Sequence, residues 1–369
     1  MESATIDVAI IGGGAVGLAA ACAVAKRGHG ACVLESLPRF GLEASTHNSG
    51  VIHAGLYYPA GSLKAELCVE GRERLYAFCA EEGVPAERCG KLVVAADASE
   101  APRLEALAER ARRNGVEDVE LVDREFVRRR EPQVEAVAAL WSPSTGIIEA
   151  EALVRALARV AGQRDVALLP GSGVEESASD DDAITIRTPR EAIRARAVVN
   201  AAGLYADEVS ARLGGEPFTI YPVRGDYAEL VPSARSLVRH LVYPLPFPSG
   251  HGLGVHLTRT TWGSVTLGPT ARYQARKDDY ESDREGLETF HEAARRMLPA
   301  LRLDQLRPGG SGIRARGAPA DHAFSDFRIH RDAKVPRLVH AAAIDSPGLT
   351  ACLAIAERVA DLIDDVLRS

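Results

Sequence analysis

The feature that most constrains the fold is a glycine pattern between an apolar run and an alanine-rich segment. Gly12, Gly14 and Gly17 have the spacing GxGxxG and directly follow the apolar residues 8–11. In a dinucleotide-binding unit the first glycine permits a tight turn, the second lets the backbone approach a pyrophosphate, and the third lets the helix lie close to the sheet. The pattern therefore predicts a strand, a turn and a helix over residues 8–27.

An acidic residue at the end of the next predicted strand supports this interpretation. Residues 31–35 form that strand and end at Glu35, whose carboxylate would accept hydrogen bonds from ribose hydroxyls and repel a 2′-phosphate. Backbone amides at the start of the helix favour bound phosphate. We expect cofactor contacts here from Gly12, Gly14, Ala15, Val16, Gly17, Glu35 and Ser36. The pattern by itself does not separate FAD from NAD, but it disfavours a phosphorylated nicotinamide cofactor.

A second glycine-rich run, residues 48–58, suggests where a cofactor ring lies. It places His53 between Gly50 and Gly55. A flavin extends along its domain and needs such a second stretch beside the ring system. Imidazole has an ordinary pKa of about 6.5, so a histidine at this position suits proton transfer near neutrality. Satisfying a loop carbonyl, or donating to the flavin without proton transfer, is the alternative role for His53.

The rest of the chain alternates between sheet and helix patterns, which predicts an α/β fold with an inserted domain. Residues 60–82 have helical spacing and precede a helix-rich stretch to about residue 130. Residues 217–268 contain alternating runs, including 253–258, that indicate an antiparallel sheet. We predict a Rossmann-type FAD-binding domain over residues 1–82, 146–215 and 309–369, interrupted by a substrate-binding domain of antiparallel sheet plus helices over residues 83–145 and 216–308.

Composition excludes several function classes. The 51 acidic and 44 basic residues give a net charge of −7 with no polybasic tail, so no nucleic-acid partner is expected. Six cysteines without CxxC spacing indicate a reduced compartment and no metal site. No run reaches the roughly 18–20 apolar residues of a transmembrane helix. We expect a cytoplasmic protein, with peripheral attachment to the inner face of a membrane left open.

Several motifs resemble the D-amino-acid oxidase superfamily of FAD-dependent oxidoreductases, and within it most closely the L-2-hydroxyglutarate dehydrogenase/oxidase family. The run 48–58 and its continuation to residue 71 carry most of the resemblance. Similar matches recur along the chain, so the resemblance spans essentially all of it. The recurring matches are residues 198–203, 221–227, 253–258, 263–269, 312–314 and 345–354.

The resemblance implies an enzyme with non-covalent FAD that oxidises an L-2-hydroxy acid, foremost L-2-hydroxyglutarate, by hydride transfer to flavin N5. His53 would be the general base, with His256 as an alternative base or a substrate-binding residue. Arg314 would bind a substrate carboxylate, because its planar guanidinium matches a carboxylate in a bidentate way. The residues expected at the substrate are Tyr57, Lys64, Arg224, Tyr243, His256 and Arg314.

The resemblance also implies cofactor contacts from segments far apart in the chain. Free amides at the start of a helix near residue 348 would stabilise negative charge on the reduced flavin. A plain helix cap is the alternative interpretation. The further cofactor residues expected are Thr46, Asn48, Ser49, Gly50, Val51, His53, Val174, Ala201, Gly203, Gly312, Arg314, Ser346, Pro347, Gly348, Leu349 and Thr350.

Three other functions remain open at this point. An amine or amino-acid oxidase of the glycine or D-amino-acid oxidase type fits the same fold, although a site built around a base favours an alcohol substrate. A glycerol-3-phosphate dehydrogenase-like enzyme also has a histidine before a glycine in its flavin stretch. A non-catalytic FAD-binding assembly protein is the third. The expected partners are a small 2-hydroxy acid or dicarboxylate and an electron acceptor, which is oxygen, a quinone or an electron-transfer protein.

Overall fold

The structure is a computed structural model that describes residues 5–246 and 254–369. The strands in chain order are β1 (Thr5–Ile11), β2 (Ala31–Glu35), β3 (Val51–Ile52), β4 (Ala86–Glu87), β5 (Lys91–Ala95), β6 (Glu120–Asp123), β7 (Ala138–Ser142), β8 (Gly146–Ile148), β9 (Ala167–Pro170), β10 (Glu176–Ser179), β11 (Ile184–Arg187), β12 (Ala192–Asn200), β13 (Tyr221–Leu230), β14 (Leu241–Pro244), β15 (His256–Arg259), β16 (Val265–Gly268), β17 (Arg272–Tyr273), β18 (Leu306–Arg316), β19 (Arg328–Arg331) and β20 (Leu338–Ala342). The helices are α1 (Ala15–Lys26), α2 (Leu63–Glu82), α3 (Ala101–Arg113), α4 (Arg124–Arg130), α5 (Ala150–Gln163), α6 (Ala206–Arg212), α7 (Leu287–Arg295) and α8 (Gly348–Arg368).

An eight-stranded sheet organises the first domain, and its centre is parallel. Strands β12, β1, β2 and β9 are neighbours in that order and run parallel, and β20 pairs in parallel with the end of β12. Strands β10, β11 and β19 add antiparallel pairs at the periphery. Parallel strands are buried on both faces, which explains why residues 8–11 and 31–34 are apolar without alternation.

Helices cover one face of this sheet. The side chains of α1, α5 and α8 bury leucine, alanine and isoleucine against alternate residues of β1, including Val8 and Ile10. Helix α2 joins the same core through Leu67 and Leu75. The opposite face of the sheet is covered by the β10–β11 hairpin and α6. Each fully buried side chain of this size stabilises the fold by roughly 1.5–3 kcal/mol.

A nine-stranded sheet organises the second domain. Its order is β17, β13, β16, β15, β14, β5, β7, β6, with β18 also paired to β13. All neighbours are antiparallel except β14 and β5. Strand β5 alternates between two cores: Leu92 and Val94 face one, Val93 and Ala95 the other. The second of these cores includes residues that precede α2, so this face of the sheet points towards the first domain.

The predicted fold class, an α/β dinucleotide-binding domain interrupted by an antiparallel domain, is confirmed. The prediction of a helix-rich stretch to residue 130 was wrong in part, because β4, β5 and β6 lie there beside α3 and α4. A short apolar run without alternation does not distinguish a buried strand from a buried helix segment. The predicted boundary at residue 309 falls inside β18, which pairs with β13 along its length. Leu253, in the predicted strand 253–258, lies outside the described residues.

Among residues 5–246 and 254–369, no helix is long and apolar enough to span a bilayer.

Candidate active site

The turn between β1 and α1 forms one end of the site. Gly12 has φ 109°, and a Cβ on it would lie 2.3 Å from the carbonyl oxygen of Ala201. A Cβ on Gly17 would lie 1.9 Å from the carbonyl oxygen of Gly12. Helix α1 begins directly after Gly14, which supplies no side-chain cap. The turn is therefore tight enough to require glycine. The amide of Ala15 donates to Ser45 Oγ at 2.9 Å, whereas the amides of Val16 and Gly17 have no intrahelical acceptors and are available to an anion.

Glu35 is fixed at the end of β2, beside this turn. Its carboxylate accepts hydrogen bonds from the amides of Gly13, at 2.8 Å, and Leu37, at 2.8 Å. Ser36 Oγ donates to the same carboxylate at 3.2 Å. The carboxylate thus has a defined position next to the glycine turn, as recognition of a ribose requires.

A cavity of about 890 Å³ extends from α1 to the inner face of the nine-stranded sheet. It brings together residues from many separate segments of the chain. The predicted site residues that line it are Ala15, Val16, Asn48, Ser49, Val51, His53, Tyr57, Lys64, Tyr243, His256, Gly312, Arg314, Ser346, Pro347, Gly348, Leu349 and Thr350.

The other predicted cofactor residues surround the glycine turn and the strand ends. Gly12, Gly14 and Gly17 form the turn itself, while Ala201 and Gly203 follow β12. Thr46 Oγ1 donates to the carbonyl oxygen of Gly41 at 2.6 Å. The predicted cofactor residues that do not line the cavity in the described chain are Gly12, Gly14, Gly17, Glu35, Ser36, Thr46, Gly50, Val174, Ala201 and Gly203.

His53 is anchored to the start of α8. Its backbone N–H donates to Thr350 Oγ1 at 3.0 Å, and Thr350 Oγ1 donates to the carbonyl oxygen of Val51 at 3.3 Å. Ser346 Oγ lies 3.3 Å from His53 Nε2. Nδ1 of His53 is buried without a hydrogen-bond partner among the described residues. The backbone of His53 is therefore held firmly, while a ring nitrogen remains available to a ligand.

Helix α8 begins with Gly348 and points its first turn at the cavity. Pro347 precedes it and supplies no side-chain cap. The amide of Gly348 donates to the carbonyl oxygen of Asp345 at 2.6 Å, whereas the amides of Leu349 and Thr350 have no intrahelical acceptors. Since Leu349 and Thr350 line the cavity, this terminus can stabilise negative charge there.

His256 lies across the cavity on β15, next to an aromatic ring. Its imidazole stacks on Tyr243 with ring centroids 3.8 Å apart and an interplanar angle of 2°. His256 is buried, and its Nδ1 has no hydrogen-bond partner among the described residues. The following residue, Leu257, faces the opposite core, as alternation along a strand requires. His53 and His256 thus bring imidazoles from different domains to the same cavity.

Both histidines are held in the neutral form. Burial, together with the charges of Lys91 and Arg314, lowers the pKa of His53 to about 3. Burial, with Arg314, Lys91 and His53 nearby, lowers the pKa of His256 well below its ordinary value. A buried imidazole beside cations loses its proton readily, because both effects disfavour the charged form. Each ring is therefore available as a proton acceptor at neutral pH.

The predicted cations differ in their availability. Arg314, on β18, lines the cavity, and no carboxylate in the described part of the chain forms an ion pair with it. Lys64 also lines the cavity, but its Nζ donates to Asp345 Oδ1 at 2.5 Å. Lys64 therefore orders the loop before α8 and neutralises Asp345. Of the two predicted cations in the lining, Arg314 is thus the one whose charge is open to an anionic ligand.

Arg224 does not reach the cavity, contrary to its expected role in substrate binding. Its side chain is fully buried, and its Nε lies 3.2 Å from Asp226 Oδ1. One Nη donates to the carbonyl oxygen of Asp283 at 3.0 Å. Gly225 and Tyr227 line the cavity from the same strand, so Arg224 lies on the opposite face. Arg224 stabilises the connection after β17.

Sequence reasoning missed Lys91. This residue begins β5, is completely buried and lies behind Tyr57 and Tyr243 in the cavity wall. The residues that follow it are apolar and lie in a stretch for which the sequence predicts mainly helix, so no local pattern identifies this lysine. A lysine opening a short apolar run is the signal that could have found it.

The arrangement fits a dinucleotide with a ring system. The glycine turn, the fixed Glu35 carboxylate and the start of α1 suit a ribose and a pyrophosphate. Gly312 allows close approach of two backbone segments further along the cavity, since a Cβ there would lie 2.0 Å from the carbonyl oxygen of His47.

Cys352 is fully buried in the helical core around α8. Among the described residues, no group of three or more His, Cys, Asp or Glu side chains is placed to hold a metal ion.

Comparison with known proteins agrees with this geometry. The family model described as FAD dependent oxidoreductase matches residues 7–362. The chain is 34% identical to an L-2-hydroxyglutarate dehydrogenase of Nematostella vectensis, with 96% of this chain and 90% of the relative covered. It is 32% identical to the L-2-hydroxyglutarate dehydrogenase of Escherichia coli K12, with 98% and 94% covered.

Solved structures show the same fold. The chain matches an FAD-bound, dithionite-reduced L-alpha-glycerophosphate oxidase of Mycoplasma pneumoniae with a TM-score of 0.89 and 25% identity, covering 98% of this chain and 95% of the other. It matches a glycine oxidase of Geobacillus kaustophilus with a TM-score of 0.83 and 23% identity, covering 98% and 95%. The second similarity is evidence of the fold alone.

Proposed function

Because this chain belongs to the FAD-dependent oxidoreductase family, we propose that it oxidises L-2-hydroxyglutarate to 2-oxoglutarate with FAD as cofactor. The observation that carries the proposal is the near full-length similarity to L-2-hydroxyglutarate dehydrogenases of bacteria and animals. The cavity supports it, because it combines neutral imidazoles with an arginine that no carboxylate of the described chain neutralises. An anionic 2-hydroxy acid needs both: a base for its hydroxyl and a cation for its carboxylate.

We assign FAD binding to the first domain. The glycine turn and Glu35 would hold the diphosphate and the ribose. Residues 48–51, Gly312 and the start of α8 would surround the ring system. When bound, FAD supplies the acceptor for the hydride that leaves the carbon bearing the hydroxyl.

His53 is the proposed general base. Its neutral ring would accept the proton of the substrate hydroxyl, so that the O–H and C–H bonds break as the carbonyl forms. The anchor between its backbone and Thr350 keeps the ring in place during this step. Positive charge on the protonated ring would be stabilised by the substrate carboxylate, because an opposite charge favours the imidazolium.

Arg314 and His256 would orient the substrate. A bidentate contact between the Arg314 guanidinium and a carboxylate fixes the adjacent carbon. His256 stacks flat on Tyr243, so its ring edge faces the cavity in a defined orientation. It would donate or accept a hydrogen bond with the substrate, and it is the alternative base if His53 serves only as a hydrogen-bond partner.

Anaerobic reduction of the purified yellow protein tests this function. We expect L-2-hydroxyglutarate to bleach the flavin absorbance, whereas the D-enantiomer does not. Bleaching by glycine or another amine, without bleaching by the hydroxy acid, would contradict the proposal. Absence of bleaching by every donor would favour a non-catalytic FAD-binding protein.

Glycerol 3-phosphate is a second candidate substrate. The similarity to the L-alpha-glycerophosphate oxidase of Mycoplasma pneumoniae favours it, because that match extends over almost the whole of both chains. Both compounds are secondary alcohols, but glycerol 3-phosphate carries a hydroxymethyl group and a phosphate ester where the hydroxy acid carries two carboxylates. Its addition in the same anaerobic assay separates the two reactions directly.

We propose that the enzyme works in a reducing compartment, the cytoplasm, since all six cysteines are free. Oxygen, a quinone and an electron-transfer protein are the candidate electron acceptors. A quinone would require the enzyme to work against the inner face of a membrane. Reoxidation of the reduced protein by each acceptor in turn identifies the one that is used.

A further inference from the structure

Lys91 is a charged side chain that the proposed reaction does not use. Its side chain is completely buried, and its Nζ has no hydrogen-bond partner among residues 5–246 and 254–369. Lysine is almost never fully buried without a partner, because removal of an ammonium from water is costly. Such a placement therefore calls for a functional explanation.

Two tyrosine rings hold the ammonium group. Nζ of Lys91 lies 4.7 Å from the ring centroid of Tyr57 and 4.7 Å from that of Tyr243. Both distances are within the roughly 6 Å over which an aromatic face attracts a cation. The parallel pairing of β5 with β14 sets this geometry, because Lys91 is opposite Leu241 and Tyr243 follows on the same face. We refer to Tyr57 and Tyr243 as the tyrosine wall.

No negative charge from the described chain compensates this ammonium. Cys68 of α2 faces it, but burial raises the pKa of that thiol to about 12 and keeps it neutral. Burial also raises the pKa of both phenols of the tyrosine wall. The two imidazoles on which Lys91 acts are neutral, and Arg314, which acts on the same imidazoles, is a cation, so these groups bring no negative charge. An anion that enters the cavity would supply the negative charge that these groups lack.

The tyrosine wall separates Lys91 from the cavity. Tyr57 and Tyr243 line the cavity, whereas Lys91 does not. Tyr243 has His256 stacked on it, so the ammonium and this imidazole both contact one phenol ring. Lys91 therefore acts on the cavity by its charge and not by contact.

The charge of Lys91 depends on pH near neutrality. Burial lowers the pKa of Lys91 to about 7. A negative charge placed in the cavity favours the ammonium and raises this pKa again. Binding of an anion and protonation of Lys91 are consequently coupled, each promoting the other.

We propose that Lys91 is a positioning residue whose buried ammonium draws an anionic substrate towards the tyrosine wall and disfavours a proton on His53 and His256. The inference rests on the proposed function, since L-2-hydroxyglutarate brings two carboxylates beside these imidazoles. Carboxylates alone would favour the imidazolium form and so remove the base. Lys91 offsets that effect without touching the reacting atoms.

Binding of glutarate, a dicarboxylate without the reactive hydroxyl, tests the inference in the FAD-loaded protein. Its Kd is measured between pH 6 and pH 9 from the change in flavin absorbance. In the wild type we expect Kd to increase about tenfold as Lys91 loses its proton. Lys91→Met should bind weakly throughout, with no such increase. Lys91→Arg should remain tight at pH 9, because a guanidinium stays protonated.

Leu92→Met is the matched control, because it alters packing on the same strand without changing charge. It should behave as the wild type. A second readout is the rate of flavin reduction as a function of pH. In Lys91→Met the pH below which this rate falls should be about one unit higher than in the wild type, since the imidazoles hold a proton more tightly. A structural role alone would not shift this profile.

The outcomes separate the two proposals. If glutarate binds with the expected pH dependence but L-2-hydroxyglutarate fails to bleach the flavin, the proposed function is wrong and the role of Lys91 stands. If the flavin is bleached and Lys91→Met is indistinguishable from Leu92→Met, the role of Lys91 is wrong. A wild type that neither binds glutarate nor is bleached overturns both.

Discussion

Replacement of His53 by glutamine isolates the chemical role of its ring from its structural role. The anchor to Thr350 uses the backbone N–H, so it survives the substitution. The ring itself makes a contact of 3.3 Å with Ser346 Oγ, at the long end for a hydrogen bond, and its Nδ1 has no partner in the described chain. Folding and FAD content should therefore change little.

The catalytic effect of His53→Gln should be large in comparison. Loss of a general base slows a proton-transfer step by roughly 10²–10⁴-fold, which corresponds to about 2.7–5.4 kcal/mol in the activation barrier. We expect the rate of flavin reduction by L-2-hydroxyglutarate to fall by this factor. The measurement is anaerobic stopped-flow absorbance, with FAD content determined from the flavin-to-protein absorbance ratio.

His256→Gln is the matched control, since it removes the other neutral imidazole of the cavity. We expect it to weaken substrate binding more than it slows reduction at saturating substrate. A His53→Gln protein that retains FAD and is reduced within threefold of the wild-type rate would refute His53 as the base. A large decrease confined to His256→Gln would assign the base to β15.

The remaining predictions concern binding and stability. Arg314→Lys should raise KM about tenfold with a smaller effect on kcat, because the bidentate contact is lost; an unchanged KM in steady-state assays would place the carboxylate elsewhere. Thr350→Val should lower the free energy of unfolding by about 1–3 kcal/mol, since it removes a buried hydroxyl that bonds to two backbone groups; urea denaturation measures this, and an unaltered midpoint would contradict it. Acid should destabilise the FAD-free protein, because the folded pKa values of His53 and His256 lie below the unfolded value of about 6.5, so the unfolded chain binds more protons as pH falls. His53, with a folded pKa of about 3, should cost about 2 kcal/mol at pH 5 relative to pH 8, and His256 should add a cost of the same sign; a His53→Gln protein as sensitive to acid as the wild type would contradict the contribution of His53.

Steric limits on the backbone allowed part of the proposed site to be predicted from the sequence. Gly12 and Gly17 occupy positions where a side chain would collide with backbone oxygens, so their spacing reflects the turn itself. Glu35 has its position because β2 ends where β1 turns into α1. Gly12 meets Ala201, and Glu35 bonds to Gly13, so the contacts themselves are not all local in sequence. The glycine spacing and the acidic residue after the next strand nevertheless recur as one pattern, and that pattern is enough to identify them.

Contacts between distant segments were harder to predict. Lys91 owes its place to two tyrosines on other segments, and nothing adjacent in sequence indicates that they form a receptor for an ammonium. Arg224 shows the opposite case, since alternation along β13 already assigns it to the face opposite Gly225 and Tyr227. An arginine at this position suggests contact with a carboxylate ligand, whereas the alternation of side chains along β13 determines the face of the sheet on which Arg224 lies.

The anchor between His53 and Thr350 also sets a time order for assembly in the cell. The two residues are separated by 297 positions in the chain. At the usual synthesis rate of about 5–20 residues per second, Thr350 is made roughly 15–60 s after His53. During this interval the start of α8 is missing, so the nascent chain has the glycine turn and Glu35 but lacks the helix terminus that we propose lies beside the ring system. On the proposed assignment, stable capture of the flavin ring follows elongation, and cofactor supply would affect the yield of completed chains more than the early course of folding.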